Sequence, residues 1–493
     1  MRRLPIRTAT IAGAIVAAAC VYDAPTTPTG TIAAANASNS PSLQLTAGTA
    51  ESGGRYLIVF KPSRTAGPAI TDELRTGGGQ LEGLYEQLGF AVVSGVTSDA
   101  AARLANANGV SSVEPDVEFA IEPMGDAQAL EAGELGTQSA TAPQGALLFA
   151  RQWNMRAIRA DAAWAGGFLG SPTVSVAILD TGIDYLWPDL NGRVDLTRSI
   201  SLRPDEDARL QTWFGSLGRH PITDLNGHGT LVSSIVASNS GFFAGVTTRT
   251  RLFGVKVCIV FNTCSTAAIL NGIVYAVDHG ADVINMSLGG AFLKRAGPGF
   301  VSVINSVFNY ANRRGTLIVV AAGNGAADID HTGNVYFTYC NSPHVMCVSA
   351  TGPTAAPTSS GPFTNPDAVA PYTNFGRSAI SLAAPGGGVT TVNAFVSGPC
   401  SSTALSLNAA GTIILGPLCP LPVLFLLRGA GTSLSSPHVA GVAAALVAIV
   451  GPGNPSQIRA ILQNSADDLG DPGTDPFYGK GRVNAARAVG VIP

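Results

Sequence analysis

The chain has 493 residues, 46% of them hydrophobic and 12% charged, with a formal net charge of −3. That length can bury a large core and hold more than one domain. No long basic run is present, which argues against a nucleic-acid partner, and 58 Gly with 31 Pro fit a loop-rich globular protein better than a coiled coil or a collagen.

Residues 1–20, MRRLPIRTATIAGAIVAAAC, carry Arg2, Arg3 and Arg7 ahead of a short apolar run from Ile11 to Ala19. This is the pattern of an export signal, and the run is too short for a mature membrane span. The ending AAAC also resembles a bacterial lipoprotein processing site, with Ala17 where Leu is usual, so Cys20 is a candidate lipid anchor. A secreted or cell-envelope bacterial protein is expected. Residues 21–53, rich in Ala, Thr, Ser, Pro and Asn, read as a flexible tether.

A small α+β unit is expected over 54–121. RYLIVFK alternates as a strand should, GLYEQLGFAVVSGV supplies a second strand after a turn, and DAAARLANANGV reads as a helix started by Asp99 and stopped near Gly109. VSSVEPDVEF returns as a strand. Periodicity is then lost over 122–150, as in a linker.

From Arg151 to the end at 493, apolar strands alternate with helical stretches. The strands are TVSVAILD, RLFGVKV, DVINMSLG, TLIVVAAG, HVMCVSA and AISLAAPG, with helices near 228–238, 266–279 and 299–314. Continuous apolar strands separated by helices predict an α/β domain with a parallel sheet covered on both faces. Sites in such sheets form beyond the carboxyl ends of the strands, where Asp180, Ser287 and Asn324 fall. PVLFLLRG, near 422–429, is broken by Pro417, Pro420 and Pro422 and is expected in core or surface loop.

Setting Cys20 aside leaves six of the seven cysteines, in three local couples: Cys258 with Cys264, Cys340 with Cys347 and Cys400 with Cys419. In an oxidising compartment three disulfides are expected, the alternative being six buried thiols. The absence of any C-x-x-C pair argues against a zinc ribbon.

Asp180-Thr181-Gly182 has two chemical readings. An aspartic protease needs two carboxylates sharing a proton, and a second D-T-G or D-S-G is missing. A serine nucleophile needs an imidazole to take its proton and a carboxylate to orient that imidazole. His228 stands between two glycines where a helix starts. Ser433 opens a long apolar helix, with Pro437 expected in its first turn. His438, five residues on, falls about 140° around that helix from the serine and is expected to pack structurally.

AILDTGI, NGHGT, VVAAGN and GTSLSSPHVAG, in that order, resemble the four signatures of the subtilisin-like serine proteases over about 151–490. The resemblance implies Asp180 as orienting carboxylate, His228 as general base then acid, Ser433 as nucleophile and Asn324 as oxyanion donor. It implies that polypeptide substrates add as a strand beside Ser287-Leu288-Gly289, with Ala321-Ala322-Gly323 as the opposite wall of the first pocket. It further implies that 54–121 is an inhibitory propeptide, held as an intramolecular partner and cut off within 122–150. A monomer is expected.

Some positions depart from the family pattern. Leu231 replaces a second His, Ser233-Ser234 an Ala-Gly, and Leu434-Ser435 a Met-Ala. Asp189 matches one family calcium ligand, but the loop SNSGFFAG carries no carboxylate, so no metal or cofactor is assigned. Insertions at about 195–222 and 388–428 have no family counterpart. A binding protein on a catalytically silent scaffold of the same fold is the alternative function.

Overall fold

The computed structural model describes residues 54–121, 127–129, 142–294, 298–337, 339–407, 413–419 and 425–493. The expected export signal with Cys20, the tether and most of the stretch expected to be cut lie outside the described residues.

The small domain is an antiparallel sheet in the order β2-β3-β1-β4: β1 (Gly54–Phe60), β2 (Gln80–Tyr85), β3 (Phe90–Val96) and β4 (Val110–Pro115). Its side chains alternate as the pleat demands. Ile58, Phe60, Ala91 and Val93 face a core closed by α1 (Gly67–Gly77) and α2 (Ser98–Ala105). Leu57, Val59, Phe90 and Val92 face the other way, into the core of the large domain. Thr97, not Asp99, caps α2, its side chain accepting from the Ala100 N–H. The sequence reading has no counterpart of α1, whose buried stripe contains only Ile70 and Leu74 beside Gly67.

The large domain is built on a seven-stranded sheet, all of whose pairings are parallel. Its strands are β7 (Ser175–Asp180), β8 (Ile200–Ser201), β9 (Arg251–Lys256), β11 (Val283–Met286), β13 (Leu317–Ala321), β15 (Val345–Thr351) and β16 (Leu382–Pro385), in the order β16-β15-β13-β11-β7-β9-β8. Every residue of β7 is buried because helices cover both faces. Val176 and Ile178 meet the core that holds α6 (His228–Val236) and α9 (Thr432–Val450). Ala177 and Leu179 meet the core that holds α7 (Thr266–Asp278) and α8 (Pro298–Arg313). Helix α9 is long and apolar enough to cross a membrane, but it is buried from Thr432 to Val447 and is the core helix of this domain.

Short helices α3 (Trp153–Ala157) and α4 (Ala160–Ala165) lead into β7, and α10 (Pro455–Asn464) and α11 (Ala485–Ala488) follow α9. Strands β12 (Ala291–Leu293) and β14 (Val335–Phe337) form an antiparallel pair. The insertion at 195–222 contains α5 (Pro204–Phe214). The insertion at 388–428 contains β17 (Val396–Pro399), β18 (Leu405–Leu407), β19 (Ile413–Pro417) and the start of β20 (Phe425–Gly429). PVLFLLRG thus ends as a strand in which Leu426 and Leu427 are buried. The three cysteine couples are disulfide-bonded: Cys258–Cys264, Cys340–Cys347 and Cys400–Cys419.

The small domain lays its sheet on α7 and α8, and two carboxylates cap those helices. Asp116 accepts the Ala267 N–H at 2.9 Å, and Glu114 accepts the Gly299 N–H at 3.1 Å. Negative charge there complements the unpaired amides and the helix dipole. Beyond β4 the chain runs on as β5 (Glu118–Ala120), paired antiparallel with β10 (Thr263–Ser265) of the large domain. Residues 142–150, expected as linker, instead belong to the large domain. Ala146 and Leu148 are buried, and the Leu147 and Leu148 amides donate to Gly241 O and Phe242 O.

Phe90 is fully buried between the small sheet and the large domain. Phe90→Ala should therefore destabilise the docked small domain by about 3–5 kcal/mol. Calorimetry on the full-length chain should show this as a lowered first transition.

Candidate active site

Strand β7 ends on Asp180, and the turn after it meets the start of α6. Asp180 and His228 are each 1% exposed, with His228 Nδ1 at 2.7 Å from Asp180 Oδ1. A carboxylate only accepts, so the proton sits on Nδ1 and the lone pair of the neutral ring on Nε2. That Nε2 is buried and has no hydrogen-bond partner among the described residues. Burial alone would push the imidazole pKa down. The charge and hydrogen bond of Asp180, helped by the charge of Asp224, outweigh it and hold His228 above its ordinary value. Gly229 is required by close approach: a Cβ there would stand 2.1 Å from Gly182 O.

Ser433 is the second residue of α9, a helix that packs against α6. Its amide is among the first-turn N–H groups that no helical carbonyl can satisfy. Asn324 lies in the turn after β13. Its Oδ1 accepts both the N–H and the hydroxyl of Thr432, each at 2.9 Å. The carboxamide is thereby fixed, with Nδ2 left as the available donor. Gly323 before it has φ +97, a backbone that L side chains rarely adopt, and Asn374 Oδ1 accepts the Gly325 and Ala327 N–H groups that follow. Neither Asn374 nor Asp224 is singled out by the sequence, because their importance comes from contacts with distant loops.

Pro437 is the sixth residue of α9, a turn later than expected. It has no N–H to give the carbonyl four residues back, which is that of Ser433. The Ser287 hydroxyl donates to that carbonyl instead, at 2.6 Å, and itself lies 2.9 Å from both Asn285 Nδ2 and Ser436 Oγ. Ser287, expected on the substrate wall, is therefore fully buried beneath Ser433.

A small cavity of about 70 Å³ is lined by Ser433, Thr432 and Asn324. Leu288, Gly289, Ala321 and Gly323 line it as well, whereas Ser287 and Ala322 do not. Ala322 is buried in the core, its N–H on Val348 O and its carbonyl on Asn374 Nδ2. The remaining wall is Ala120 and Ile121, the end of the small domain's tail.

The model of the subtilase family matches residues 171–481. Thermitase of Thermoactinomyces vulgaris is 30% identical over 342 residues, covering 69% of this chain and 96% of thermitase. Subtilisin Savinase of Lederbergia lenta is 32% identical over 343 residues, covering 68% of this chain and 97% of that protein. The chain belongs to the subtilase family. It is a subtilisin-like serine protease. The crystal structure of an epidermin leader peptide processing serine protease from Staphylococcus aureus shares the fold, with TM-score 0.65 and 19% identity over 89% of this chain and 98% of that one.

Two residues flagged in the subtilase sequence have structural surroundings. His438 is fully buried, with Nδ1 on Leu434 O at 2.7 Å and Nε2 at 2.9 Å from Asn154 Nδ2. Burial lowers its pKa to about 4, so it stays neutral at ordinary pH. Asp189 gives both carboxylate oxygens to backbone donors, the Phe242 and Phe243 N–H groups, each at 2.8 Å. Calcium needs several oxygen ligands, and no group of three or more His, Cys, Asp or Glu that could hold a metal ion lies among the described residues.

Ser287→Ala should leave the buried Ser433 carbonyl unpaired, because Pro437 cannot replace the lost donor. An orphaned acceptor costs about 1–3 kcal/mol. Thermal melts of the subtilase variant should show that loss, and kcat should fall as the start of α9 loosens.

Proposed function

We propose that this subtilase is an exported endopeptidase that works through Asp180, His228 and Ser433 and is made as a self-processed zymogen. Ser433 Oγ attacks the scissile carbonyl carbon while His228 Nε2 takes its proton. Asp180 holds the ring and stabilises the imidazolium. Asn324 Nδ2 and the Ser433 N–H donate to the oxyanion. The C–N bond breaks as His228 protonates the leaving amine. Water, deprotonated by the same imidazole, then releases the acyl group from Ser433.

The observation that carries this reading is the shared cavity of Ser433, Asn324 and the tail residues Ala120 and Ile121, together with the hydrogen-bonded His228–Asp180 pair on a helix that packs against the Ser433 helix. A tail that pairs as a strand and ends against the nucleophile is positioned as an inhibitor or a substrate would be. Among the described residues the cavity walls carry no acidic side chain, which favours an apolar or broad preference before the scissile bond. Three disulfides and bacterial relatives are consistent with export.

A fluorophosphonate probe should label wild type at Ser433. Ser433→Ala should accumulate with residues 54–121 still covalently joined, in a protease-free host. A folded, processed chain that never labels would leave the silent-scaffold alternative standing. Asn324→Ala should lower kcat by about 10²–10³-fold, a magnitude inherited from the equivalent loss in subtilisin.

The pH profile follows from the sign of the His228 shift. The base must be neutral, and its pKa is held above 6.5. The rate should therefore fall with acidification through a midpoint above 6.5. Asp180→Asn should lower both that midpoint and, by about four orders of magnitude, kcat.

A further inference from the structure

We propose that the outer edge of β20 is a docking strand for the part of a polypeptide substrate that follows the scissile bond. The proposal rests on the serine-protease reading of the cavity. It starts from the path of the chain's own tail. Before the cavity, β5 pairs antiparallel with β10, matching Ala120 with Thr263 and Glu118 with Ser265. The Ile121 N–H then donates to Asn262 O at 2.7 Å, and Ile121 lines the cavity with Ser433. Past the cavity, the chain pairs again. Residues Ala127–Ala129, named β6, add antiparallel to β20, with Gln128 opposite Leu426. From Ile121 to Ala127 is six residues, an extended reach of no more than about 20 Å.

The position of β20 fits the leaving side. It runs through Ala430 and Gly431 into Thr432 and Ser433. Its Leu427 also abuts the histidine loop: a side chain at Gly227 would begin 3.2 Å from Leu427 Cδ1. The general acid that protonates the leaving amine therefore sits beside this strand.

β20 is a firm edge, and β6 is a light occupant. The inner side of β20 is paired with β17 over four residues, Val396 to Pro399, and the Cys400–Cys419 disulfide ties the same insertion. β6 occupies the outer position in the order β17-β20-β6 and is three residues long. The Gln128 side chain accepts a long 3.4 Å hydrogen bond from Arg151 Nη1. Backbone pairing reads main-chain N–H and C=O groups, so it holds any extended peptide of sufficient length. On the chain's own path the arm meets β20 at six to eight residues beyond Ile121 (127 − 121 and 129 − 121).

The test uses purified, matured wild-type protein and internally quenched peptides. All share one apolar segment before the cleaved bond and carry leaving arms of two or of eight residues. The long arm should raise kcat/KM by about tenfold, as expected for two or three added backbone hydrogen bonds. N-methylation along the far end of the arm should then abolish the gain at alternate positions only, the period-two signature of a strand. Equal rates for both arms, or a gain indifferent to N-methylation, would overturn the docking strand while leaving the triad intact. A short-arm peptide left uncleaved by protein that also fails to label with the fluorophosphonate would instead sink the serine-protease reading, and the proposal with it.

Discussion

Asp224 is fully buried, and its carboxylate accepts five hydrogen bonds from two loops. The Thr181 hydroxyl comes from the turn that carries Asp180. The Asn226, Gly227 and Thr230 amides and the Thr230 hydroxyl come from the turn that carries His228. An ionised carboxylate out of water is tolerated only when its lone pairs are taken. The folded state must therefore hold these two loops together, and the 2.7 Å contact of His228 with Asp180 follows from that. Lys256 adds a buried cation nearby, its Nζ donating to Thr223 O at 2.6 Å. Burial lowers the Lys256 pKa against the pull of Glu206 and Asp224, and burial raises Glu206 to about 7. Charge beneath the site is thus shared among groups that water does not reach.

The sheet was legible because its strands are apolar on both faces, and period-two and continuous patterns are local signals. The motifs were legible because two of them end those strands and the other two open helices. What sequence could not give was the function of residues whose partners are far along the chain. Ser287 follows β11 directly, as an exposed-wall residue would, but its hydroxyl is claimed by a carbonyl 146 positions away that Pro437 leaves unpaired. Asp224 stands two positions before NGHGT and looks like a turn residue until Thr181 is seen against it. Residues 142–150 lack periodicity and still pack, because two backbone bonds to Gly241 and Phe242 and the burial of Leu148 depend on no pattern.

The departures from the family pattern become coherent beside the insertions. Leu231 stands where relatives of this pattern carry histidine. It faces Gly398 of β17 so closely that a Cβ at Gly398 would stand 1.9 Å from Leu231 Cδ1. An apolar residue on α6 and a bare backbone on the inserted strand together make an interface that an imidazole would have to enter unpaired. The other insertion acts on the tail. Its Arg203, buried at the start of α5, bridges to Glu118 at 3.0 Å, so added sequence helps fix the strand that runs toward Ser433.

Open sheet edges explain why the tail takes the path it does. β10 and β20 each offer an edge on which a strand of the tail pairs, and such an edge is a template for any extended chain. A peptidase must keep such edges, because an extended substrate is what it binds. In this structure β5 covers one edge and β6 the other, both from the same polypeptide. The small domain supplies the anchorage that three-residue strands lack. Its buried face of Leu57, Val59, Phe90 and Val92 and its caps at α7 and α8 bring the tail to β10 already oriented. Pairing then costs little further chain entropy, as preorganised binding should. The covering of the edges by the tail and the use by substrate that we propose for them would draw on the same backbone geometry. They differ in whether the occupant is tethered to a folded domain.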